Sequence, residues 1–270
     1  MIFLIFIFVA IVLFIMLKKA HENTKKVNIK HVQIPLKEDH TEKIKILHLS
    51  DLHLEHLSIQ PTDLYHMVQK KTPLDLIIIT GDFMDRKRSI PKILPYLEVL
   101  KKLNPACGIF AVFGNHDYVL KGENFNKLKK TLEENGCKTL QNEHRTLAVK
   151  GKIVNIIGID DYSTNRSDLE KSFQGLSDGF NLVITHDPNI VLEMKGFQFD
   201  YLLSGHFHGG QICWPKPYHL VKMGKLARKK IIKGLHYYDG KPFYINEGLG
   251  QTGVNIRVIS RPEITFHEIG

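Results

Sequence analysis

Residues 44–53 read Ile-Lys-Ile-Leu-His-Leu-Ser-Asp-Leu-His, a short apolar run that ends in a polar cluster. Such runs are typical of buried strands. The pattern recurs and predicts six strands, at residues 44–50, 74–80, 108–113, 153–159, 181–185 and 200–204. Helical stretches lie between them, at residues 62–71, 91–103 and 124–135. This alternation, followed by a β-rich end from residue 231, predicts one layered α/β domain over residues 44–270.

Polar residues follow five of the predicted strands, at the point where each strand ends. The sequences there are Asp51-Leu52-His53, Gly81-Asp82-Phe83-Met84-Asp85, Gly114-Asn115-His116-Asp117, Thr185-His186-Asp187 and Gly205-His206-Phe207-His208. Because the loops past the carboxyl ends of strands form the ligand crevice of an α/β sheet, we expect these side chains at one rim.

Aspartate, asparagine and histidine at one rim suit Mn²⁺, Fe²⁺ or Zn²⁺. A catalytic ion takes about three protein ligands and a water. The candidate ligands are too many for one such ion: Asp51, His53, Asp82, Asn115, His186, His206 and His208. They would suit two ions roughly 3.5–4 Å apart, with one carboxylate bridging them.

Taken together and in order, these blocks resemble the calcineurin-like metallophosphoesterase superfamily, whose pattern is D-x-H, G-D-x-x-D, G-N-H-[DE], a lone His and G-H-x-H. The resemblance runs from about residue 44 to the C-terminus. It implies a β-sandwich flanked by helices and a phosphohydrolase that cleaves a phosphodiester or pyrophosphate bond. Residues 209–211 and 248–253 are similar to the membrane-anchored bacterial branch, which includes enzymes similar to UDP-2,3-diacylglucosamine pyrophosphatases. Phe207 departs from the Thr often found there and removes no ligand.

The resemblance also implies a role for each site residue. Asp51, His53 and His208 would hold one ion, Asn115, His186 and His206 the other, and Asp82 would bridge them. His116 would contact the substrate phosphate and protonate the leaving oxygen as general acid, Asp117 would orient His116, and Asp85 would act from behind the ligands. The implied reaction is in-line attack on phosphorus by a hydroxide shared between the ions.

Residues 1–17 carry no charge, no Gly and no Pro. Seventeen helical residues span about 25 Å, near the lower limit for crossing a hydrocarbon core. A secretory signal peptide would need basic residues before the run and small residues at a cleavage site. A buried core helix is a weaker alternative, because the segment is apolar on every face. We therefore expect an uncleaved anchor over residues 1–20, a basic tether with a possible strand (27–36) over residues 21–43, and the metallophosphoesterase domain over residues 44–270.

Lysines follow the apolar run and none precedes it: Lys18, Lys19, Lys25, Lys26, Lys30 and Lys37. The positive-inside rule therefore predicts a single-pass membrane protein with a cytoplasmic catalytic domain. Three widely spaced cysteines exclude a disulfide scaffold and a cysteine-built zinc ribbon.

The formal net charge of +9 favours anionic partners. Basic residues cluster between residues 222 and 233, at Lys222, Lys225, Arg228, Lys229, Lys230 and Lys233. It is either a solvated surface or a patch for lipid headgroups or an anionic substrate, lipid- or nucleotide-linked. Two alternatives remain open: a metal-dependent nuclease of the same superfamily, ranked lower because no nucleic-acid motif is present, and a non-catalytic membrane scaffold.

Histidines outside the blocks are expected to be structural. His48 lies within the first predicted strand and is expected to pack there, whereas His267 is expected at the surface. Asp160 and Asp161 follow a strand and are expected to serve a turn.

Overall fold

The computed structural model describes residues 1–35 and 42–270. Leu36, Lys37 and His40 of the predicted tether lie outside these residues. Two six-stranded sheets are present. The strands of the first are β1 (Asn28–Ile34), β2 (Ile44–Leu49), β3 (Leu76–Thr80), β4 (Ile109–Val112), β5 (Cys137–Thr139) and β12 (Glu263–Ile269). The strands of the second are β6 (Glu143–Val149), β7 (Lys152–Gly158), β8 (Phe180–Ile184), β9 (Tyr201–Ser204), β10 (Gly234–Tyr238) and β11 (Lys241–Ile245).

The middle of each sheet is parallel. The first sheet has the order β1-β12-β2-β3-β4-β5, in which β12 is parallel to β1 and antiparallel to β2. The second has the order β10-β11-β9-β8-β7-β6, with β7, β8, β9 and β11 parallel. Parallel order brings the carboxyl ends of neighbouring strands to a common edge, which is where the predicted site residues lie.

The two sheets pack face to face. Alternate residues of a strand point to opposite faces, so Ile46 and Ile78 enter the core between the sheets, with Ile156 and Leu182 from the second sheet. Leu47 instead belongs to the core on the outer face of the first sheet. A further core covers the outer face of the second sheet. The predicted β-sandwich flanked by helices is confirmed.

Short helices cover these outer faces. After the N-terminal helix α1 (Ile2–Asn23), the helices are α2 (Pro61–Val68), α3 (Leu94–Lys102), α4 (Gly122–Glu134), α5 (Leu169–Phe173) and α6 (Lys225–Arg228). The three predicted helical stretches contain α2, α3 and most of α4. The first two are partly 3-10 helix, at Gln69–Lys71 and Lys87–Ile93.

Helix α1 is apolar on all sides, and the window that qualifies it as a candidate span has no buried residue. Its 22 residues measure about 33 Å, so the helix is long and apolar enough to cross a membrane. A signal sequence near an N-terminus meets the same criterion. The possible strand within residues 27–36 is β1, which pairs in parallel with β12 from Asn28↔Glu263 to Ile34↔Ile269. Residues 28–34 are therefore part of the first sheet.

Candidate metal centre

The predicted site residues meet where β2, β3, β4, β8 and β9 end. Several adopt positive φ, a region that non-glycine residues seldom occupy: Asp51 (51°), His53 (38°), Asp82 (56°), His206 (76°) and His208 (49°). Strained backbone of this kind costs about 1–3 kcal/mol per residue and clusters at functional sites. The loops hold these side chains in a conformation that local propensity alone would not choose.

The first group comprises Asp51, His53 and His208, three buried residues with ligand atoms within 4.8 Å of one another. The Nε2 atom of His208 lies 3.3 Å from Asp51 Oδ1. Asp51 and His53 both follow β2 and both belong to this group.

The second group comprises Asp82, His186 and His206, also buried and within the same separation. The Nε2 atom of His186 lies 3.1 Å from Asp82 Oδ2 and 3.1 Å from His206 Nδ1. Asp82 faces His53 as well, at 3.5 Å from its Nε2. Asp82 thus stands between the two groups.

The protons of these histidines are fixed by contacts behind them. His186 Nδ1 lies 2.7 Å from the carbonyl oxygen of Thr80, which can only accept, so Nδ1 carries the hydrogen. In a neutral imidazole, Nε2 then presents a lone pair towards the Asp82 carboxylate, an unfavourable contact unless a positive charge lies between them. His53 repeats the arrangement, because its Nδ1 lies 3.1 Å from Asp85 Oδ1 while Nε2 faces Asp82. This is how metal-binding histidines are oriented in proteins.

The electrostatics of the site reflect the negative charge that Asp82 and Asp51 place at its centre. Burial opposes a charge on His186, but Asp82 and Asp51 outweigh it and raise the pKa of His186 well above its usual value. Burial lowers the pKa of His206 to about 3 and that of His208 well below its usual value, so both imidazoles are neutral and able to donate a lone pair.

Three buried polar atoms of the site have no hydrogen-bond partner among the described residues: His53 Nε2, His208 Nδ1 and Asn115 Oδ1. Buried polar groups are normally paired, and a site for an ion is one recognised reason for an exception. The residues present therefore fit divalent cations. Asn115 reaches the same rim from the loop after β4.

His116 lies at the edge of this group, with its side chain 30% exposed. Its Nδ1 is 2.9 Å from Asp85 Oδ1, and its backbone N–H donates to Asp82 Oδ1 at 2.9 Å. Burial opposes its charge, but the hydrogen bond to Asp85 and the charge of Asp82 outweigh it and raise the pKa of His116 to about 9. His116 therefore carries a proton at neutral pH and is open to the crevice.

The expectation that Asp117 orients His116 is wrong. The Asp117 carboxylate is buried and accepts four backbone N–H bonds, from Asp82 (2.9 Å), Phe83 (2.8 Å), Met84 (3.2 Å) and Gly114 (3.0 Å). It holds the two loops that carry Asp82 and Asn115 together. The contact to the His116 imidazole comes from Asp85 instead.

Two buried residues outside the predicted set support the site. His48 Nε2 bonds to Thr80 Oγ1 at 2.9 Å, and His48 Nδ1 lies 3.4 Å from His267 Nε2. The packing role of His48 is confirmed, whereas the expected surface position of His267 is wrong, because β12 lies between β1 and β2 and His267 is fully buried. The detectable signal is that both histidines stand within predicted strands.

Arg257 also supports the site, although the sequence predicts no role for it. Its fully buried guanidinium donates to the carbonyl oxygens of His208, Glu247, Gly248 and Gly250, at 2.7–3.2 Å. It thereby fixes the loop of a candidate metal ligand. No sequence pattern marks it, since a lone arginine in a polar loop usually lies at the surface. Asp161 serves a turn as expected, with its Oδ2 accepting from Ser163 and Thr164. The Asp160 carboxylate instead accepts from the hydroxyl of Tyr118, which lies on a distant segment.

Two cavities open beside the candidate ligands. One of about 340 Å³ is mostly apolar beyond the site, and its lining includes Asp82, His116, His208, Ile212, Leu220 and Val254. Phe207 also lines it and is fully buried, which explains how a phenylalanine is accommodated between two ligands.

The other cavity, of about 560 Å³, has more basic than acidic residues in its lining, and we call it the basic cavity. Its charged lining residues are Lys222, Lys225 and Arg228 against Asp187 and Glu193, and Asn115 and His206 line it too. Part of the predicted basic run therefore lies beside the crevice, where it can contact an anionic group.

Comparisons with known proteins give a consistent result. The sequence model described as calcineurin-like phosphoesterase matches residues 44–210. The metallophosphoesterase YkoQ of Bacillus subtilis (strain 168) is 62% identical, over 99% of this chain and 100% of that protein. The UDP-2,3-diacylglucosamine pyrophosphatase LpxG of Chlamydia trachomatis is 27% identical, over 86% of this chain and 85% of LpxG. The phosphodiesterase YaeI of Escherichia coli (strain K12) is 27% identical, over 86% of this chain and 84% of YaeI.

Proposed function

The chain belongs to the calcineurin-like phosphoesterase family and is a metal-dependent hydrolase, and from that premise we propose that it cleaves a phosphodiester or pyrophosphate bond with two divalent ions. The observation that supports this most directly is the pair of buried Asp/His groups that meet at Asp82. Seven polar side chains from five loops would not be held together in strained loops without a positive charge to bind.

In this proposal Asp51, His53 and His208 would hold one ion, Asn115, His186 and His206 would hold the other, and Asp82 would serve both. When bound, such ions lower the pKa of a coordinated water and neutralise charge on phosphoryl oxygens. The nitrogen and oxygen ligands suit Mn²⁺, Fe²⁺ and Zn²⁺.

His116 acts as the general acid. Its hydrogen bond to Asp85 favours the protonated ring, and its partly exposed side chain can reach a leaving oxygen in the crevice. Asp85 positions the ring by accepting the Nδ1 hydrogen, which leaves the Nε2 proton for the leaving group. Asp85 also accepts from His53 Nδ1, so one carboxylate aligns both the acid and a metal ligand.

The proposed substrate carries a phosphate substituted on two sides, by two organic groups in a phosphodiester or by one organic group and a second phosphate in a pyrophosphate. LpxG is a pyrophosphatase and YaeI is a phosphodiesterase, which supports a doubly substituted phosphate over a simple monoester. The basic cavity would take an anionic part of the molecule and the mostly apolar cavity an uncharged part. A lipid- or nucleotide-linked phosphoester has both.

We further propose that residues 1–17 anchor the catalytic domain, residues 44–270, in the cell membrane with the domain in the cytoplasm. The lysines after the apolar run support this orientation. The C-terminal turn of α1 contacts the catalytic domain, since Arg257 N donates to the Ala20 carbonyl oxygen at 2.9 Å. Cleavage of α1 as a signal sequence would remove that contact, which favours an uncleaved anchor.

The test uses the full chain purified in detergent, with bis-p-nitrophenyl phosphate as substrate and Mn²⁺, Fe²⁺ or Zn²⁺ added to chelated protein. We expect hydrolysis that chelation abolishes and that Asp82→Ala removes. His116→Ala should lower kcat by about 10²–10⁴-fold, the usual contribution of a general acid, with metal content unchanged. His144→Ala, on β6 and outside the five blocks, is the matched control.

Four results would each contradict a part of the proposal. Turnover that survives Asp82→Ala would exclude the bridging role. Loss of metal with His116→Ala would make His116 a ligand. Cleavage of DNA or RNA with strong salt dependence, without hydrolysis of small diesters, would favour the nuclease alternative, for which the basic cavity provides a surface. Protease digestion of the domain from outside intact cells would refute the orientation.

A further inference from the structure

The end of helix α1 is fixed to the loop that follows β11. His21 Nδ1 lies 3.0 Å from the carbonyl oxygen of Asn255, and Asn23 Nδ2 donates to the Arg257 carbonyl at 3.0 Å. Ala20 and Thr24 are buried by these contacts. The helix is therefore docked on the domain by its C-terminal turn.

This docking sets the depth of the loop relative to a bilayer, and here the argument rests on the anchoring proposed above. Ala20 follows Leu17, the end of the apolar run, by three residues, which is about 4.5 Å along a helix axis. Because Ala20 is hydrogen-bonded to Arg257, residues 252–259 must lie at the level of the lipid headgroups when residues 1–17 span the hydrocarbon.

The same loop forms part of the mouth of the metal site. Thr252, Gly253 and Val254 line the apolar cavity that reaches Asp82 and His116. The mouth therefore opens beside the anchor helix.

A second segment is tied to this loop. Gln211 Nε2 donates to the carbonyl oxygens of Thr252 and Val254, at 2.9 and 3.1 Å. Cys213 N donates to the Val258 carbonyl at 2.9 Å. The residues after Cys213 are consequently held at the same edge of the domain.

Large apolar side chains are exposed on both segments, with exposed fractions of 62% for Trp214, 55% for Val221, 53% for Val254 and 69% for Ile259. We call these four residues the rim. Val254 lines the apolar cavity, and Trp214 and Val221 lie within two residues of Ile212 and Leu220, which line it too. An exposed apolar rim around a cavity marks a binding surface.

We propose that the rim contacts the bilayer that holds α1, so that the mouth of the metal site opens at the membrane surface. Trp is enriched at membrane interfaces, where its ring is apolar and its N–H stays hydrated. The exposed Lys222, Lys225 and Arg228 adjoin the rim and match the negative charge of anionic headgroups. Continuity with the docked helix favours lipid over a second protein as the occupant.

Trp214 is the single tryptophan of the sequence, so its fluorescence reports on the rim directly. The full chain is reconstituted in liposomes of phosphatidylcholine and phosphatidylglycerol, with or without bromine on the upper acyl chain. We expect a blue-shifted Trp214 emission that brominated lipid quenches. Trp214→Phe combined with Val221→Trp moves the reporter to a second rim position and should also be quenched.

The control is Trp214→Phe combined with Ile153→Trp. Ile153 is exposed at the start of β7, at the end of the sheet opposite the metal site, and a tryptophan there should not be quenched. Equal quenching at the rim and control positions, or none at either rim position, would overturn the proposal. If the chain fails to float with liposomes, both the anchor and the rim are wrong. The measurement uses neither metal nor substrate, so loss of the proposed hydrolysis cannot mimic any of these results.

Discussion

The variant Asp117→Asn tests whether Asp117 supports the loops of the site or takes part in the reaction. In the native site each Asp117 oxygen accepts two backbone N–H bonds, Oδ1 from Phe83 and Met84, and Oδ2 from Asp82 and Gly114. An asparagine amide keeps one oxygen and turns the other acceptor into a donor. Two buried backbone N–H groups then face an NH₂ group and lose their partners.

The magnitude follows from that count. A buried donor left without a partner costs about 1–3 kcal/mol, so two of them cost about 2–6 kcal/mol. For a domain of this size each kcal/mol shifts Tm by roughly 2–4 °C. Asp117→Asn should therefore lower Tm by roughly 5–20 °C.

The assay is thermal unfolding of the full chain in detergent, in the presence of a chelator so that metal binding does not contribute. Asp85→Asn is the paired variant, because Asp85 lies 2.9 Å from the His116 imidazole and is partly exposed. It should lower kcat by about 10–100-fold, as the loss of a contact behind a functional imidazole commonly does, with little change in Tm.

The opposite pattern would refute this reasoning. If Asp117→Asn unfolds at the wild-type temperature but loses turnover, while Asp85→Asn keeps its turnover, then Asp117 is the orienting carboxylate and the contacts described here do not govern the reaction.

Three further outcomes are expected. A Cβ at Gly114 would collide with the Asp82 carboxylate, so Gly114→Ala should lose metal content and turnover together, as measured by elemental analysis and kinetics. Burial lowers the pKa of His48 to about 3 and that of His267 well below its usual value. Both histidines are neutral in the folded protein and take up protons on unfolding below pH about 6.5. The free energy of unfolding should therefore decrease by about 1.4 kcal/mol per histidine for each unit by which the pH is lowered below that value. Thermal unfolding of chelated protein between pH 7.5 and 5 should show a shallower fall for His48→Gln/His267→Gln than for wild type. Metal at 100 times its Kd should stabilise chelated protein by about 2.7 kcal/mol, seen as a rise in Tm.

The strands and the convergence of ligands could be predicted from the sequence because both depend on local patterns. Short apolar runs mark strands that are buried on both faces, and parallel order brings their carboxyl ends together. Asp51, Asp82 and His186 therefore reach one rim wherever the exact strand ends fall. The predicted strand ends differ from the observed ones by at most one residue at this edge, which does not move a ligand out of the site.

The partners of buried carboxylates could not be predicted. Asp117 follows His116 in sequence, which favours it as the orienting group, but a 3-10 turn at Asp117–Leu120 points its carboxylate at the backbone of the neighbouring loop. Which of two nearby acids meets an imidazole depends on loop dihedral angles that are set by tertiary contacts. Arg257 shows the same limit, because its carbonyl partners come from three segments, at residues 208, 247–250 and 261.

The pairing of β1 with β12 has a consequence for how the protein is made. β1 stands near the start of the chain, yet its neighbour in the sheet is the last strand, which also separates it from β2. During synthesis β1 must wait for Glu263–Ile269 to leave the ribosome before it can bond, at a time when the preceding apolar helix can already have entered the bilayer. Completion of the first sheet thus comes late, after α1 can have reached the membrane, and a deletion of Glu263–Ile269 would leave both β1 and β2 with unpaired edges.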